Sequence, residues 1–302
     1  MTSERTLLCI GATNIDRKLR TLAPLQAGVS NPAQLTEVAG GVARNVAENL
    51  ARLGWPVVLL SAVAEDATGR DLLAQAQSLG IATDACLRVA DGRSGSYTAI
   101  LDADGELVMG LADMALVERL TPQVLQAQQD RAGRKEAALI VADLNLPTAS
   151  LESLLADAQD AQASQQPLVF VAVSAPKMTR LPARLAGLHC LVMNDEELAA
   201  IDPDADSALR LLGKRGVRHV VVTQGASGVR FGAPGEPLNT LPAPPVEVVD
   251  VTGAGDAFAA GLCHGLARGH TLQEACASGL QLAALTLQCS ASVFPALNPN
   301  TL

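Results

Sequence analysis

The chain has 302 residues, with 22 basic against 31 acidic side chains, a formal net charge of −9 and 49% hydrophobic residues. That hydrophobic share excludes disorder over most of the length, and the acidic balance argues against a nucleic-acid binder, whose affinity comes from Lys and Arg neutralising phosphates. No uncharged apolar run approaches the ~18 residues a membrane span needs. With aromatics at 2%, the core must be aliphatic. An anionic small-molecule ligand stays open, because backbone amides bind phosphate even on an acidic protein. The six cysteines show no CxxC pairing and no His at zinc-finger spacing. The N-terminal residues lack a basic stretch followed by a long apolar one. A reducing, cytoplasmic compartment is expected.

In chain order, residues 7–10 are a short apolar run ending at Gly11, the pattern of a buried parallel strand. Residues 12–39 are mixed and read as loop plus edge strands. Gly40-Gly41 then opens a helix over 42–53, whose Val42, Val46, Leu50 and Leu53 make one apolar stripe ended by Gly54. A strand over 57–63 and a helix over 69–79 follow. Residues 96–101 and 106–109 flank Asp102-Ala103-Asp104-Gly105, a hairpin signal. With 12–36 this hairpin predicts a small antiparallel sheet outside the main one. Strands are then predicted at 138–142, 168–173, 189–193 and 219–223, and helices at 150–161, 196–201, 207–214, 254–267 and 271–288. The Gln/Ala-rich 156–166 stretch reads as a surface helix end. Strands alternating with helices imply an α/β fold with a parallel sheet covered on both faces.

The strongest chemical signal is Asp250-Val251-Thr252-Gly253-Ala254-Gly255-Asp256. Val246, Val248 and Val249 predict a strand leading into it, and an Ala-rich helix follows. Gly253 and Gly255 let the backbone approach a ligand. The first helical amides lack intrahelical partners and, with the helix dipole, form a site for an anion such as a transferring phosphoryl group. Asp256, in the first turn, is placed to take a proton from an acceptor hydroxyl. A helix N-terminus is expected to lower its pKa, which phosphoryl transfer tolerates because its transition state is loose. The plainer alternative is a tight turn with a dipole-complementing acid. The seven-residue pattern is more specific than that.

Asp250 to Asp256 resembles the C-terminal signature of the PfkB, or ribokinase-like, carbohydrate kinases. Gly40-Gly41-Val42-Ala43-Arg44-Asn45 resembles their N-terminal Gly-Gly signature, Asn194-Asp195-Glu196-Glu197 their N-x-x-E motif, and Thr223-Gln224-Gly225-Ala226-Ser227-Gly228 their nucleotide-loop T-x-G-x-x-G. All four stand in the family's order over nearly the whole chain. The runs 41–51, 60–63, 142–145 and 173–177, with Asn31-Pro32 and Asp113-Met114, are similar to the pseudouridine-directed branch of that family; ribokinases typically carry a Glu near the position of Asn145.

The resemblance implies one ribokinase-like domain over 1–302, with a central, mainly parallel sheet flanked by helices and a small antiparallel β lid at about 12–36 and 93–112. It implies an ATP-dependent kinase using Mg²⁺, with Asp256 as base and the amides of Gly253, Ala254 and Gly255 stabilising the transferring group. Asn14, Asp16, Gly40, Gly41, Asn45 and Asn145 would hold a sugar or nucleoside. Asn14 and Asp16 are equally readable as a loop-capping pair; strand carboxyl ends such as that before Asn145 are where α/β sheets bind ligands. Ser174, Asn194, Thr223, Gly225 and Gly228 would line the nucleotide, and Asn194 with Glu197 would act on the metal, through water where Mg²⁺ keeps its hydration. A helix N-terminal acid is the alternative for Glu197. Lys177 reads equally as a phosphate neighbour or a solvated side chain, and residues 283–287 as an adenine wall or as core. The family resemblance also raises a monovalent cation, K⁺, held through backbone carbonyls near Asp250 and Thr252, and a homodimer formed through the lid, for which exposed edge strands give a physical motive. Two departures stand out: the strand before Ser174 reads Val169-Phe170-Val171-Ala172-Val173, without the Asp that relatives often carry, and Val42 replaces the Lys of some relatives. The alternative from another class is a non-catalytic sugar or nucleoside sensor on the same fold. The histidines at 189, 219, 264 and 270 have no metal-ligand spacing and read as structural.

Overall fold

A computed structural model describes residues 5–160 and 166–302. Its elements in chain order are β1 (Leu7–Ile10), β2 (Asn14–Thr21), β3 (Ala33–Gly40), α1 (Val42–Arg52), β4 (Val57–Leu60), β5 (Ala62–Ala64), α2 (Ala67–Ser78), β6 (Leu87–Val89), β7 (Gly95–Leu101), β8 (Leu107–Asp113), α3 (Pro122–Arg131), β9 (Leu139–Asp143), α4 (Thr148–Asp160), β10 (Leu168–Val171), β11 (Cys190–Asn194), α5 (Asp195–Ala199), α6 (Ala205–Arg215), β12 (His219–Thr223), β13 (Val229–Gly232), β14 (Asn239–Leu241), α7 (Ala254–Ala267) and α8 (Leu272–Leu287).

Eight strands form the main sheet in the order β14-β13-β12-β11-β10-β9-β1-β4. From β4 to β12 neighbours are parallel, and β13 and β14 add an antiparallel margin. Side chains alternate across the pleat, so each strand feeds two cores. Leu8, Ile10, Ile140, Phe170, Leu191 and Val220 pack with residues of α3, α4, α5 and α6 on one face. Leu7, Cys9, Val141, Val169 and Val221 pack with α1, α2, α7 and α8 on the other. The continuous apolar reading of these strands thus reflects burial on both faces.

β2 with β3 and β7 with β8 are antiparallel hairpins, and parallel pairing of β2 with β7 joins them into a separate four-stranded sheet, β3-β2-β7-β8. β3 runs on to Gly40, past the predicted end of that segment, and delivers the chain directly into α1.

Other differences have local causes. The predicted 57–63 strand breaks at Ser61, whose hydroxyl donates to the Gly11 carbonyl (2.6 Å); beyond the break, β5 leaves the main sheet and pairs with β6. α3, absent from the sequence expectations, begins at Pro122, with the Thr121 hydroxyl accepting from the Val124 amide as N-cap. Residues 246–249 are not a strand; Val248 and Val249 are exposed, and the Val249 amide donates to the Leu287 carbonyl (2.8 Å). β10 ends at Val171, two residues early. The predicted end of α4 at residue 161, and residues 161–165 of the Gln/Ala-rich stretch, lie outside the described residues.

Cys9, Cys86, Cys190, Cys263 and Cys276 are buried and unpaired, and Cys289 is half-buried. His264 accepts from the Trp55 indole at Nδ1 (3.0 Å), and His189 stacks edge-on with His219, so these three histidines are packing residues. Among the described residues no helix is long and apolar enough to cross a membrane, and no cluster of three His, Cys, Asp or Glu residues could hold a metal alone.

Candidate active site

The parallel strands end on one edge of the sheet, and their order lays the polar positions along it. Thr223 closes β12, Asn194 closes β11, Ser174 follows β10, Asn145 follows β9, and Asn14 follows β1. The register pairs Asn194 directly with Thr223. Residues assigned to a nucleotide therefore sit at one end of the edge and those assigned to a sugar at the other, in the crevice outside the strand carboxyl ends where α/β sheets bind ligands.

α7 starts beside this edge. Gly253 is its N-cap with φ +81°, and a Cβ there would overlap the Ser292 carbonyl, so a left-handed turn and a close approach both require glycine. The Ala254 amide donates to the Val251 carbonyl (3.3 Å), which withdraws it from the expected cradle, whereas those of Gly253, Gly255 and Asp256 have no partner among the described residues. Three amides at a helix start remain for an anion.

Asp256 stands in that first turn, and its carboxylate accepts from Asn45 Nδ2 across 2.8 Å. Burial pushes its pKa up to about 7; the Asn45 donor opposes this, while Asp143, Asp16 and Glu197 reinforce it. The expected lowering by the helix N-terminus is thus overturned. A helix terminus contributes ~0.3–1 kcal/mol in exposed settings, too little against lost hydration beside three other carboxylates. Asn45 is 4% exposed, and its Oδ1 has no hydrogen-bond partner. A buried acceptor beside a carboxylate suits a hydroxyl-bearing ligand.

On the sugar side, Asn14 Nδ2 donates to Asp16 Oδ1 (2.6 Å), and burial raises the Asp16 pKa while Asn14, Lys18 and Arg44 hold it back. Gly40 and Gly41 close the β3–α1 corner onto this pair. A Cβ on Gly40 would overlap the Asp16 carboxylate, and one on Gly41, at φ +100°, the Ala12 carbonyl. Asn145 is buried, and its carbonyl accepts from Arg180 (2.6 Å).

Asp143, unassigned from the sequence, ties these segments together. It is 1% exposed and accepts three backbone amides, from Ala12 (2.9 Å), Ala43 (3.0 Å) and Asn145 (2.9 Å). A single acid closing a wholly apolar strand was the signal that could have marked it. Arg44, also buried, pairs with Glu48 (2.5 Å).

On the nucleotide side, Asn194 and Glu197 form a reciprocal capping box on α5, at 2.8 Å each way. Glu197 is thus the helix N-terminal acid of its alternative reading, yet its Oε1 is left without a protein hydrogen bond among the described residues. Burial raises the pKa of Glu197. Gly225 and Gly228 lie in the β12–β13 turn, whose Gln224 bonds to the Asp195 carboxylate. Ala283 and Leu285 pack onto the core and Thr286 is fully buried, which accounts for most of the 283–287 segment as packing. Lys177 is half-buried, its pKa lowered by burial and by Arg180.

Asp250 and Thr252 hold a contact that the sequence does not suggest. Lys18 Nζ donates to Asp250 Oδ2 (2.9 Å) and Thr252 Oγ1 (3.1 Å), and the Thr252 amide donates to Asp250 Oδ1 (2.8 Å). Burial alone would raise the Asp250 pKa; its bonds to Thr252 and Lys18 more than reverse this and leave it below the ordinary value. Two unit charges about 4 Å apart near a protein surface repel by about 4 kcal/mol. These side chains therefore do not fit a bound K⁺ while Lys18 is in place.

Open amides at a helix start, an adjoining acid of raised pKa and buried polar groups along a strand edge suit a phosphotransferase with an alcohol acceptor, the class to which the chain's family belongs. The chain belongs to the pfkB family of carbohydrate kinases, whose profile matches residues 4–298. It is 31% identical over 300 residues to the pseudouridine kinase of Escherichia coli K12, covering 97% of this chain and 93% of that protein. Among solved structures it is similar to a carbohydrate kinase from Agrobacterium tumefaciens (34% identity, TM-score 0.83, 98% and 95% of the two chains). It shares its fold with Arabidopsis thaliana ribokinase complexed with ribose and ATP (19% identity, TM-score 0.79, 98% and 97%). The chain is a sugar or nucleoside kinase with the ribokinase-like α/β fold.

Proposed function

We propose that the chain transfers the γ-phosphoryl group of Mg-ATP to the 5′-hydroxyl of a ribose-containing substrate, pseudouridine foremost. The Asp256–Asn45 pair beside the open amides of α7 carries the reading. Asp256 takes the hydroxyl proton as the O5′–P bond forms and the bond from Pγ to the β,γ-bridging oxygen breaks, releasing ADP. The amides of Gly253 and Gly255, with that of Asp256, stabilise charge on the transferring group. Asn14, Asp16 and Asn45, under the Gly40-Gly41 corner, hold the ribose, and Asn145 faces it from β9. Ser174, Thr223, Gly225 and Gly228 line the nucleotide.

The carboxyl groups of Asp16, Glu197 and Asp256, with Asp143 buried beneath them, would repel a bare triphosphate. Mg²⁺ bound to the phosphates would supply the neutralising charge, and Glu197 Oε1, with Asn194 beside it, would hold it, directly or through water.

Similarity to the E. coli enzyme and the 41–51 run support pseudouridine over ribose, fructose or an ordinary nucleoside. Incubation with ATP and pseudouridine, uridine, adenosine, ribose and fructose in parallel decides. Pseudouridine is expected to give the highest kcat/KM, and preference for another acceptor would refute that assignment. Binding by calorimetry without phosphorylation of any acceptor would instead favour a sensor.

The small sheet serves as a lid that excludes competing water. Its strands leave Leu35, Leu107, Met109 and Leu111 at 51%, 59%, 51% and 54% exposure. Pairing with a second lid would cover them. A homodimer by light scattering, converted to monomer by Leu111→Glu, is expected; a monomeric parent chain would overturn this. The compartment read from the free thiols is cytoplasmic.

A further inference from the structure

Strand β2 alternates its side chains, so Asn14, Asp16 and Lys18 share one face. The first two stand at the sugar end of the site. The third reaches across the crevice to residues 232 and 234 positions away. Among the described residues, its two bonds are the sole side-chain hydrogen bonds between the small sheet and the 249–253 loop. That loop has little else over it. Val249 and Val251 are 62% and 71% exposed, and its backbone anchors are the amides of Val249 and Asp250 on the Leu287 carbonyl. The loop ends at Gly253, whose position sets the amide cradle.

We propose that Lys18 is a positioning residue for phosphoryl transfer. Its ammonium holds the Asp250–Thr252 turn, and hence the cradle amides, in register with the strand that seats the acceptor, and it serves there as a built-in monovalent cation. This rests on the kinase reading above. It differs from a plain ion pair in its consequence. A half-exposed pair contributes ~0–1 kcal/mol to stability, so loss of Lys18 should barely move the melting temperature yet displace the cradle, where a misplacement of about 1 Å costs roughly a hundredfold in rate.

The test compares the wild type with Lys18→Met and Lys18→Arg, in chloride salts of K⁺, NH₄⁺ and tetramethylammonium at equal ionic strength. Wild-type kcat and melting temperature are expected to be indifferent to the cation. Lys18→Met should lose roughly a hundredfold in kcat, with the KM for the acceptor little changed. K⁺ or NH₄⁺, but not tetramethylammonium, should raise both its kcat and its melting temperature. Lys18→Arg should keep most of the activity in every salt. Lys18→Gln stands in if the Met variant does not fold. Unchanged kcat in Lys18→Met, or strong activation of the wild type by K⁺, would overturn the proposal. Should the wild type phosphorylate no acceptor, the kinase reading fails separately, and the cation-specific thermal shift of Lys18→Met still decides what the ammonium does.

Discussion

Asp256→Asn is expected to lower kcat by ~10²–10⁴-fold, the usual worth of a positioned general base, while ADP affinity measured by calorimetry stays near that of the wild type. The substitution keeps the shape and the contact with Asn45 and removes only the ability to take a proton. A variant with nearly normal turnover would remove Asp256 from the chemistry. The pH profile gives a second check. With a pKa of about 7 and the ionised form as base, kcat/KM for the wild type should rise through neutrality and level off above it. Asn45→Ala removes the donor that favours the ionised form, so this limb should move to higher pH. The same shift has a stability consequence of opposite sense. A carboxyl whose pKa is raised on folding stabilises the folded state fully below its unfolded pKa, the reference value being 3.8, and this contribution disappears as pH rises through about 7. Asp256→Asn should therefore melt higher than the wild type at pH 8 and show little gain at pH 4.

The arrangement of the main sheet was legible because buried parallel strands leave unbroken apolar runs, such as Leu7 to Ile10 and Val220 to Val222, between helices with a 3.6-residue stripe. The glycine turn that starts α7 was legible because a left-handed corner and a close backbone approach need a small residue, and Gly253 meets both conditions. α3 could have been read from Thr121-Pro122, a cap followed by the residue best tolerated at the first helical position. β14 could not, since only Leu241 of its three residues is apolar and their pairing depends on β13. The direction of the Asp256 shift was illegible for a related reason. Local sequence displays the helix terminus, but Asp16, Asp143 and Glu197 reach Asp256 only through the tertiary fold. Lys18 lies beyond any local signal, its partners being more than two hundred residues away.

Asp143→Ala should be the most destabilising substitution near the site. Its carboxylate is the common acceptor for amides from the β1–β2 corner, the first turn of α1 and the loop after β9. Each buried amide left unpaired costs ~1–3 kcal/mol, and with partial entry of water into the space vacated the sum should be about 3–5 kcal/mol, read as a fall in the urea midpoint. A variant as stable as the wild type would show that the knot is not structural. Asp143→Asn separates packing from charge. One amide oxygen can still serve Ala12 and Ala43, both of which bond to Oδ2, whereas the Asn145 amide would face an NH₂ group; the cost should fall to about 1–2 kcal/mol. Three donors converging on Asp143 favour its ionised form against the burial that raises its pKa. Replacing it removes a negative charge that holds the Asp256 pKa up, so the acid limb of kcat/KM should move to lower pH, opposite to Asn45→Ala. Shifts of the same sign in the two variants would mean that general loosening of the crevice, and not the charges around Asp256, sets its proton affinity.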